Sequence, residues 1–307
     1  MRIFHSDHYF ADVGAHVMPM RKFGLVRDAI AALDPDARLL APEPIDDAAL
    51  ARVHTREYID AVASGEPRAL AESQKFPWSA ALANAVRHTN GGCVAALAAA
   101  LEDGVAGNLA SGFHHAHADH GEGFCTFNGL VVAIDQLRAS ARLERALVVD
   151  LDLHYGNGTA SLLADRPYAF NLSIYGNWYA GNTAYRDVDE GGTPDTDNCF
   201  SVPVPAGTGG ARYLELVSEH LDRALAAAKP DAILYQAGAD PLRDDPYSPL
   251  DLGHADLRER DRLVFARAKE LGIPVAWVLA GGYTKDVSQV VEVHVNTWRA
   301  ATAVFTA

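Results

Sequence analysis

Val148-Val149-Asp150-Leu151-Asp152-Leu153-His154 is the stretch on which the reading of this chain turns. Val148 and Val149 read as a buried strand, and Asp150, Asp152 and His154 then fall at every second position. A strand sets alternate side chains on one face. Three metal-ligand types would therefore emerge on one side of a strand that runs out into Tyr155-Gly156-Asn157-Gly158. A purely structural strand would not set two carboxylates beside a core, because buried charge is costly unless it is paired or bound to a metal. Asp152 and His154 can both reach one divalent ion through bonds of about 2 Å.

Outward from this stretch, short apolar runs alternate with helical patterns, the signature of an α/β fold with a parallel sheet. The expected strands are Arg2–Phe4, Gly107–Ala110, Ala146–Leu151, Ala169–Ile174, Ala232–Gln236 and Val275–Ala280. The expected helices are Met20–Leu33, Thr55–Ser64, Trp78–Leu101, Phe127–Ser140, Ala211–Lys229, His254–Leu271 and Tyr283–Thr306. Gly104, Pro230 and Gly272 stand where helices should stop. No composition shift or repeat divides the chain, so residues 1–307 read as one domain. The segment Tyr175–Asn198 is rich in Gly, Asn, Asp and Pro. A connection that long in a compact domain is functional or mobile.

The 307 residues are 49% apolar, enough for a substantial core, and carry a net charge of −14. That charge argues against nucleic acid as a partner. It suits cationic substrates such as lysine-bearing peptides or polyamines, or simply a soluble acidic surface. The three cysteines are isolated and suggest no disulfide framework. The N-terminus lacks a signal-peptide pattern, and no apolar run approaches the roughly 20 residues of a membrane span. A cytoplasmic location without membrane contact is expected.

Polar groups concentrate just after four expected strands, where ligands bind in open α/β sheets. These are Ser111–His117, Asp150–Gly158, Gln236–Pro241 and Leu279–Thr284. If the loops converge, Asp152, His154 and Asp240 supply three protein ligands and leave one position open, the ligand count of a catalytic zinc site. An open position matters because coordination lowers the pKa of bound water to about 7. His114-His115 offers an acid and a base beside that water, while His117 and His120 read as surface or structural residues. Carboxylates behind such histidines orient them. Asp150 is the candidate partner of His114, and Asn157 that of His115. His115 would then accept the proton and His114 act electrostatically, or the reverse. Tyr283, after two glycines, would donate a hydrogen bond to a carbonyl oxygen becoming an oxyanion.

Several ordered motifs closely resemble the histone deacetylase family of the arginase/deacetylase superfamily. They are His-His at 114–115, Gly-Phe-Cys-x-x-Asn at 123–128, Asp-Leu-Asp-x-His-x-Gly-Asn-Gly-Thr at 150–159, Gly-Ala-Asp-Pro-Leu at 238–242 and Gly-Gly-Tyr at 281–283. Length and the segment Pro19–Phe23 are most similar to compact bacterial class IV-like members. The resemblance implies a single-domain open fold, a mostly parallel central sheet flanked by helices. It implies a zinc-dependent amidohydrolase that cleaves linear amides, removing acetyl or other acyl groups by metal-activated water attack. Asp152, His154 and Asp240 would hold the metal, with His114 and His115 as the proton-transfer pair and Tyr283 polarising the carbonyl. Phe124 would line the acyl-lysine channel opposite Tyr179 or Trp178. Arg21 would line an internal acetate pocket, or else merely anchor the first helix. A potassium ion would be held by Asp150, Asp152, His154, Ser173 and Ile174. Two oxygens and one imidazole suit Zn2+ but also Fe2+.

The family's substrates are acyl-lysine proteins or peptides, acetylpolyamines and other small acylated amines, and longer acyl-lysines. A polyamine enzyme often carries an acidic residue at the channel mouth. The aligned position here is Tyr247, which is not acidic and so favours acyl-lysine, against which stand the nearby Asp244 and Asp245. An arginase-like binuclear manganese site would need Asp-x-His-x-Asp, and position 156 is Gly. Oligomeric state is not legible.

Overall fold

The computed structural model describes residues 1–176 and 195–306. Its strands are β1 (Arg2–Phe4), β2 (Arg38–Leu40), β3 (Val105–Ser111), β4 (Ala146–Asp150), β5 (Ala169–Tyr175), β6 (Cys199–Pro203), β7 (Ala232–Ala237) and β8 (Val275–Leu279). Among the described residues they form one sheet in the order β2-β1-β3-β8-β7-β4-β5-β6. Every pairing is parallel. The sheet is thus wholly rather than mostly parallel.

The helices are α1 (Lys22–Leu33), α2 (Asp47–Leu50), α3 (Arg56–Ser64), α4 (Arg68–Ala71), α5 (Ala80–Asp103), α6 (Gly129–Ala139), α7 (Asn157–Leu163), α8 (Gly210–Ala228), α9 (His254–Leu271) and α10 (Val287–Phe305). All residues of β3, β4, β5, β7 and β8 are buried. Parallel strands covered on both faces read as continuous apolar runs instead of alternating ones. Leu147-Val148-Val149 and Ile233-Leu234-Tyr235 are such runs, which is why these strands stand out in the sequence. Helix starts follow capping chemistry. Thr55 Oγ1 accepts from Tyr58 N at 3.3 Å, Ser79 Oγ from Leu82 N at 3.1 Å, and Asn128 Oδ1 from Val131 N at 3.2 Å.

The structure differs from the sequence reading at several places. β4 ends at Asp150, so Asp152 and His154 stand on the loop that follows and not on the strand. β2 and β6 were not expected: β2 is three half-exposed residues at one sheet edge, and β6 follows the long segment. α10 begins at Val287, four residues later than Tyr283, because Asp286 caps it through Ser288 N at 3.0 Å. No described helix is long and apolar enough to cross a membrane.

Candidate active site

The four polar loops follow β3, β4, β7 and β8, and these strands are contiguous in the order β3-β8-β7-β4. In a parallel sheet all carboxyl ends lie along one edge. Loops separated by more than a hundred residues of chain therefore open onto one crevice. The chain leaves β3 for β4 but inserts β8 and β7 between them, the switch in strand order where such sheets bind ligands.

Asp152, His154 and Asp240 meet there, all buried, with one ligand atom from each lying within 4.8 Å of the others. His154 Nδ1 stands 3.1 Å from Asp240 Oδ2 and 3.3 Å from Asp152 Oδ1. Burial alone would depress the His154 imidazole, but hydrogen bonds and charge from both carboxylates raise it to about 10. Burial, and then the Asp152 charge, push Asp240 up to about 6. Three inward donors thus share a single proton in a dry site, an arrangement that a divalent cation would satisfy better. Two carboxylates and an imidazole, with no further His, Cys, Asp or Glu in the cluster among the described residues, fit an ion that keeps an open position.

Asp240 Oδ1 also accepts from Leu153 N at 3.0 Å, and Asp152 Oδ2 accepts from Gly281 N at 2.7 Å. A Cβ at Gly281 would overlap the Asp240 carboxylate, so only glycine lets this backbone approach.

The histidine pair is set on the loop after β3, which Phe113 turns at φ 61°. Their rings stand 4.0 Å apart. His114 Nδ1 faces Asp150 Oδ2 at 2.6 Å, and His115 Nδ1 faces Asn157 Oδ1 at 2.6 Å. Asn157 Nδ2 in turn donates to Glu122 Oε2 at 2.6 Å. A carboxylate only accepts, so Glu122 fixes which end of the amide faces His115 and hence that Nδ1 carries the His115 proton. Burial opposes charge on both rings. The Asp150 and Asp152 charges override it and raise His114. His115 faces an amide in place of a carboxylate, and burial together with the His114 and His154 charges outweighs Asp152 and Asn157 and holds it well below the ordinary histidine range.

Tyr283 is half-buried, its ring 6.3 Å from that of His154. Burial and the Asp240 and Asp152 charges raise its phenol well above 10, so it stays a donor. Phe124 and Tyr247 flank it, with ring centroids 6.1 and 5.2 Å away. Asp245 Oδ2 accepts from Tyr283 N at 2.7 Å and its Oδ1 from Tyr247 N at 3.1 Å. This carboxylate ties the two tyrosine loops together and is buried. Ser173 pairs in register with Asp150, Ile174 follows it on β5, and Gly176 N donates to Leu153 O at 2.9 Å. Asp150, Asp152, His154, Ser173 and Ile174 are thereby grouped at adjoining strand ends. Trp178 and Tyr179 lie outside the described residues.

Two cations beneath the site were missed in the sequence. Arg21 is exposed, whereas the next residue, Lys22, is fully buried and donates Nζ to Ala280 O at 2.5 Å. Burial pulls its ammonium down to about 8 against the attraction of Asp240 and Asp152. Arg260 donates Nη1 to Leu151 O at 3.1 Å and to Gly238 O at 2.8 Å, gripping the loops that carry Asp152 and Asp240. Its Nε donates to Asp261 Oδ1 at 2.9 Å. The signal was present: Lys22 shares a helical face with Val26 and Ile30, and Arg260 with Leu257 and Val264, where apolar side chains belong. Arg260→Met would leave Asp261 uncompensated and should cost about 3–5 kcal/mol. Urea unfolding measures it, and a loss below about 1 kcal/mol, the scale of an exposed pair, would contradict the role.

The family described as the histone deacetylase domain matches residues 16–298. An uncharacterised protein of Picosynechococcus is 32% identical over 308 residues, covering 99% of this chain and 98% of its own length. Histone deacetylase 2 of Arabidopsis thaliana is 32% identical over 203 residues, 66% of this chain, and the match spans half of that protein's length. The crystal structure of an acetylpolyamine aminohydrolase from Burkholderia pseudomallei superposes with a TM-score of 0.75 at 24% identity, over 99% of each chain. At that identity the likeness speaks to the fold alone.

Proposed function

This chain belongs to the histone deacetylase domain family, and from that premise we propose that it is a zinc-dependent amidohydrolase removing acetyl groups from N-acylated lysine side chains. The observation that carries this reading is the buried Asp152–His154–Asp240 donor cluster beside the His114–His115 pair and Tyr283. A zinc ion held by those three residues would polarise the amide carbonyl and acidify its water. Ferrous iron suits the same donors. The oxygens of Asp150, Asp152, His154, Ser173 and Ile174 would hold a potassium ion at the adjoining strand ends.

The chain's own residues do the rest. His115 is neutral, and its Nδ1 proton is committed to Asn157, so Nε2 is the basic nitrogen that takes the proton from attacking water and hands it to the lysine nitrogen as the C–N bond breaks. His114, held against Asp150, stays cationic and stabilises the negative charge that develops. Tyr283 keeps its proton and donates a hydrogen bond to the carbonyl oxygen. Phe124, Tyr247 and Tyr283 form an aromatic wall past which the four methylenes of a lysine side chain would lie.

Protein or peptide acyl-lysine is favoured over a polyamine by the charge at this wall. A polyamine would be recognised by a carboxylate on the wall itself, but the wall residue is Tyr247, and of the two nearby carboxylates Asp245 is turned inward onto Tyr283 N and Tyr247 N, while the exposed Asp244 stands three residues before Tyr247. A kinetic panel on metal-loaded protein tests the assignment. Acetyl-lysine peptides should exceed acetylated polyamines by roughly tenfold or more in kcat/KM. A polyamine preference of that size would replace lysine as the substrate, and better turnover of long acyl-lysines would reassign the acyl group. Cell fractionation would test the expected cytoplasmic location.

A further inference from the structure

A second group of metal-ligating side chains stands outside the site, on the loop between β3 and α6. His117, His120 and Glu122 each present a ligand atom within 4.8 Å of the other two. We propose that His117, His120 and Glu122 form a second divalent-cation site, of zinc-type chemistry, whose occupancy bears on His115 through Asn157.

Each ligand is held from behind. The His117–His120 turn is closed by His117 N donating to His120 O at 3.0 Å. His54, buried beneath it, ties His117 O at 2.8 Å and accepts from Asn128 N at 3.0 Å through its other nitrogen. Glu122 is fixed by paired backbone bonds with Cys125. His120 Nδ1 faces Asp119 Oδ1 at 2.7 Å, which orients the ring and leaves Nε2 as its ligand nitrogen. A carboxylate behind a histidine is the usual support of a metal-binding imidazole. His117 Nε2 and Glu122 Oε2 stand 3.4 Å apart, close to the separation of two donors on one tetrahedral ion with bonds of about 2.0–2.1 Å. The two imidazoles lie stacked, centroids 4.6 Å apart, so binding needs only His120 to swing inward. Its side chain is 44% exposed and has room to do so. Two imidazoles and one carboxylate select a borderline transition ion over calcium or magnesium.

The link inward runs through one amide. Asn157 Nδ2 donates to Glu122 Oε2 at 2.6 Å and stands 3.3 Å from His117 Nε2, while Oδ1 receives the His115 proton. An ion on Glu122 and His117 engages both atoms on which the amide rests. Excess zinc should therefore slow turnover while leaving the Asp152–His154–Asp240 site filled. The coupling rests on the assignment of His115 as base; the binding site does not.

His120→Ala separates the two claims, since His120 touches neither Asn157 nor the buried cluster. Full-length protein is dialysed against micromolar zinc, and bound metal is counted by elemental analysis. The unsubstituted chain should take up one equivalent more than His120→Ala, and His117→Gln should lose the same equivalent. The difference should persist when both proteins also carry Asp240→Asn, so failure of the catalytic reading would not hide it. Equal uptake by all forms overturns the second site. In turnover assays, zinc inhibition should be relieved in His120→Ala with basal activity unchanged. A His120-dependent equivalent with the same zinc titration of activity in both proteins overturns the link to His115.

Discussion

Asp240→Ala should abolish metal binding and turnover together. Asp240 supplies one of two carboxylates to a buried three-donor cluster, 3.1 Å from His154 Nδ1. Its loss leaves two donors, and an open site with two protein ligands does not retain a catalytic ion. Several kcal/mol of charge stabilisation leave with the metal, so kcat/KM should fall by at least about 10³-fold. The other oxygen, Oδ1, accepts Leu153 N at 3.0 Å, and truncation orphans that amide at a cost of about 1–3 kcal/mol. Asp240→Asn keeps an acceptor there while removing the charge, and separates loss of metal from loss of fold. Asp152→Ala should behave as Asp240→Ala does. Elemental analysis beside a turnover assay checks all three, and a variant that keeps both metal and rate would remove Asp240 from the ligand set.

Tyr283→Phe should keep the metal and lose turnover by roughly 10²–10³-fold, the scale of removing one oxyanion donor. The loop that carries Tyr283 is held by backbone contacts, Gly281 N to Asp152 at 2.7 Å and Tyr283 N to Asp245 at 2.7 Å. Phenylalanine leaves these in place, so ligand geometry and folding should be untouched. The phenol is held well above its usual range by burial and the two metal-site aspartates, so it remains protonated wherever the enzyme is stable. The loss should therefore appear mainly in kcat and be flat with pH across the neutral range. Unchanged kcat would assign the donor elsewhere.

The central strands were legible because both faces are covered, which writes them as unbroken apolar runs such as Leu147-Val148-Val149. The ligand residues were legible because Asp, His and paired Gly are out of place after such runs. The alternation of Asp150, Asp152 and His154 pointed to the buried Asp152–His154–Asp240 cluster for an incomplete reason, since only Asp150 belongs to the strand. β2 was hidden because two of its three residues are exposed at the sheet edge, so it carries no buried apolar run, unlike β1. The start of α10 was hidden because Tyr283-Thr284-Lys285 has helical propensity that its ties to Asp245 override. Arg21 drew attention as a motif match, yet the helical face that points inward carries Lys22. The Glu122–Asn157–His115 chain joins residues 35 and 42 apart, a relation no local spacing encodes.

The insertion of β8 and β7 between β3 and β4 has a consequence for how the molecule is made. Val105 of β3 pairs with Val275 of β8, so the strand that leads into the histidine pair waits for β8, the last of the described strands, before its second edge is covered. Such long-range closure is slow, and the unpaired edges of β3 and β4 are exposed to aggregation until it happens. A fragment ending before β8 would lack the Gly281 N bond to Asp152, whichever residues of the buried cluster it contains. An ion held by Asp152, His154 and Asp240 would be fixed in place only once β8 had closed the sheet beside them, so that filling the cluster and completing the fold would be one event.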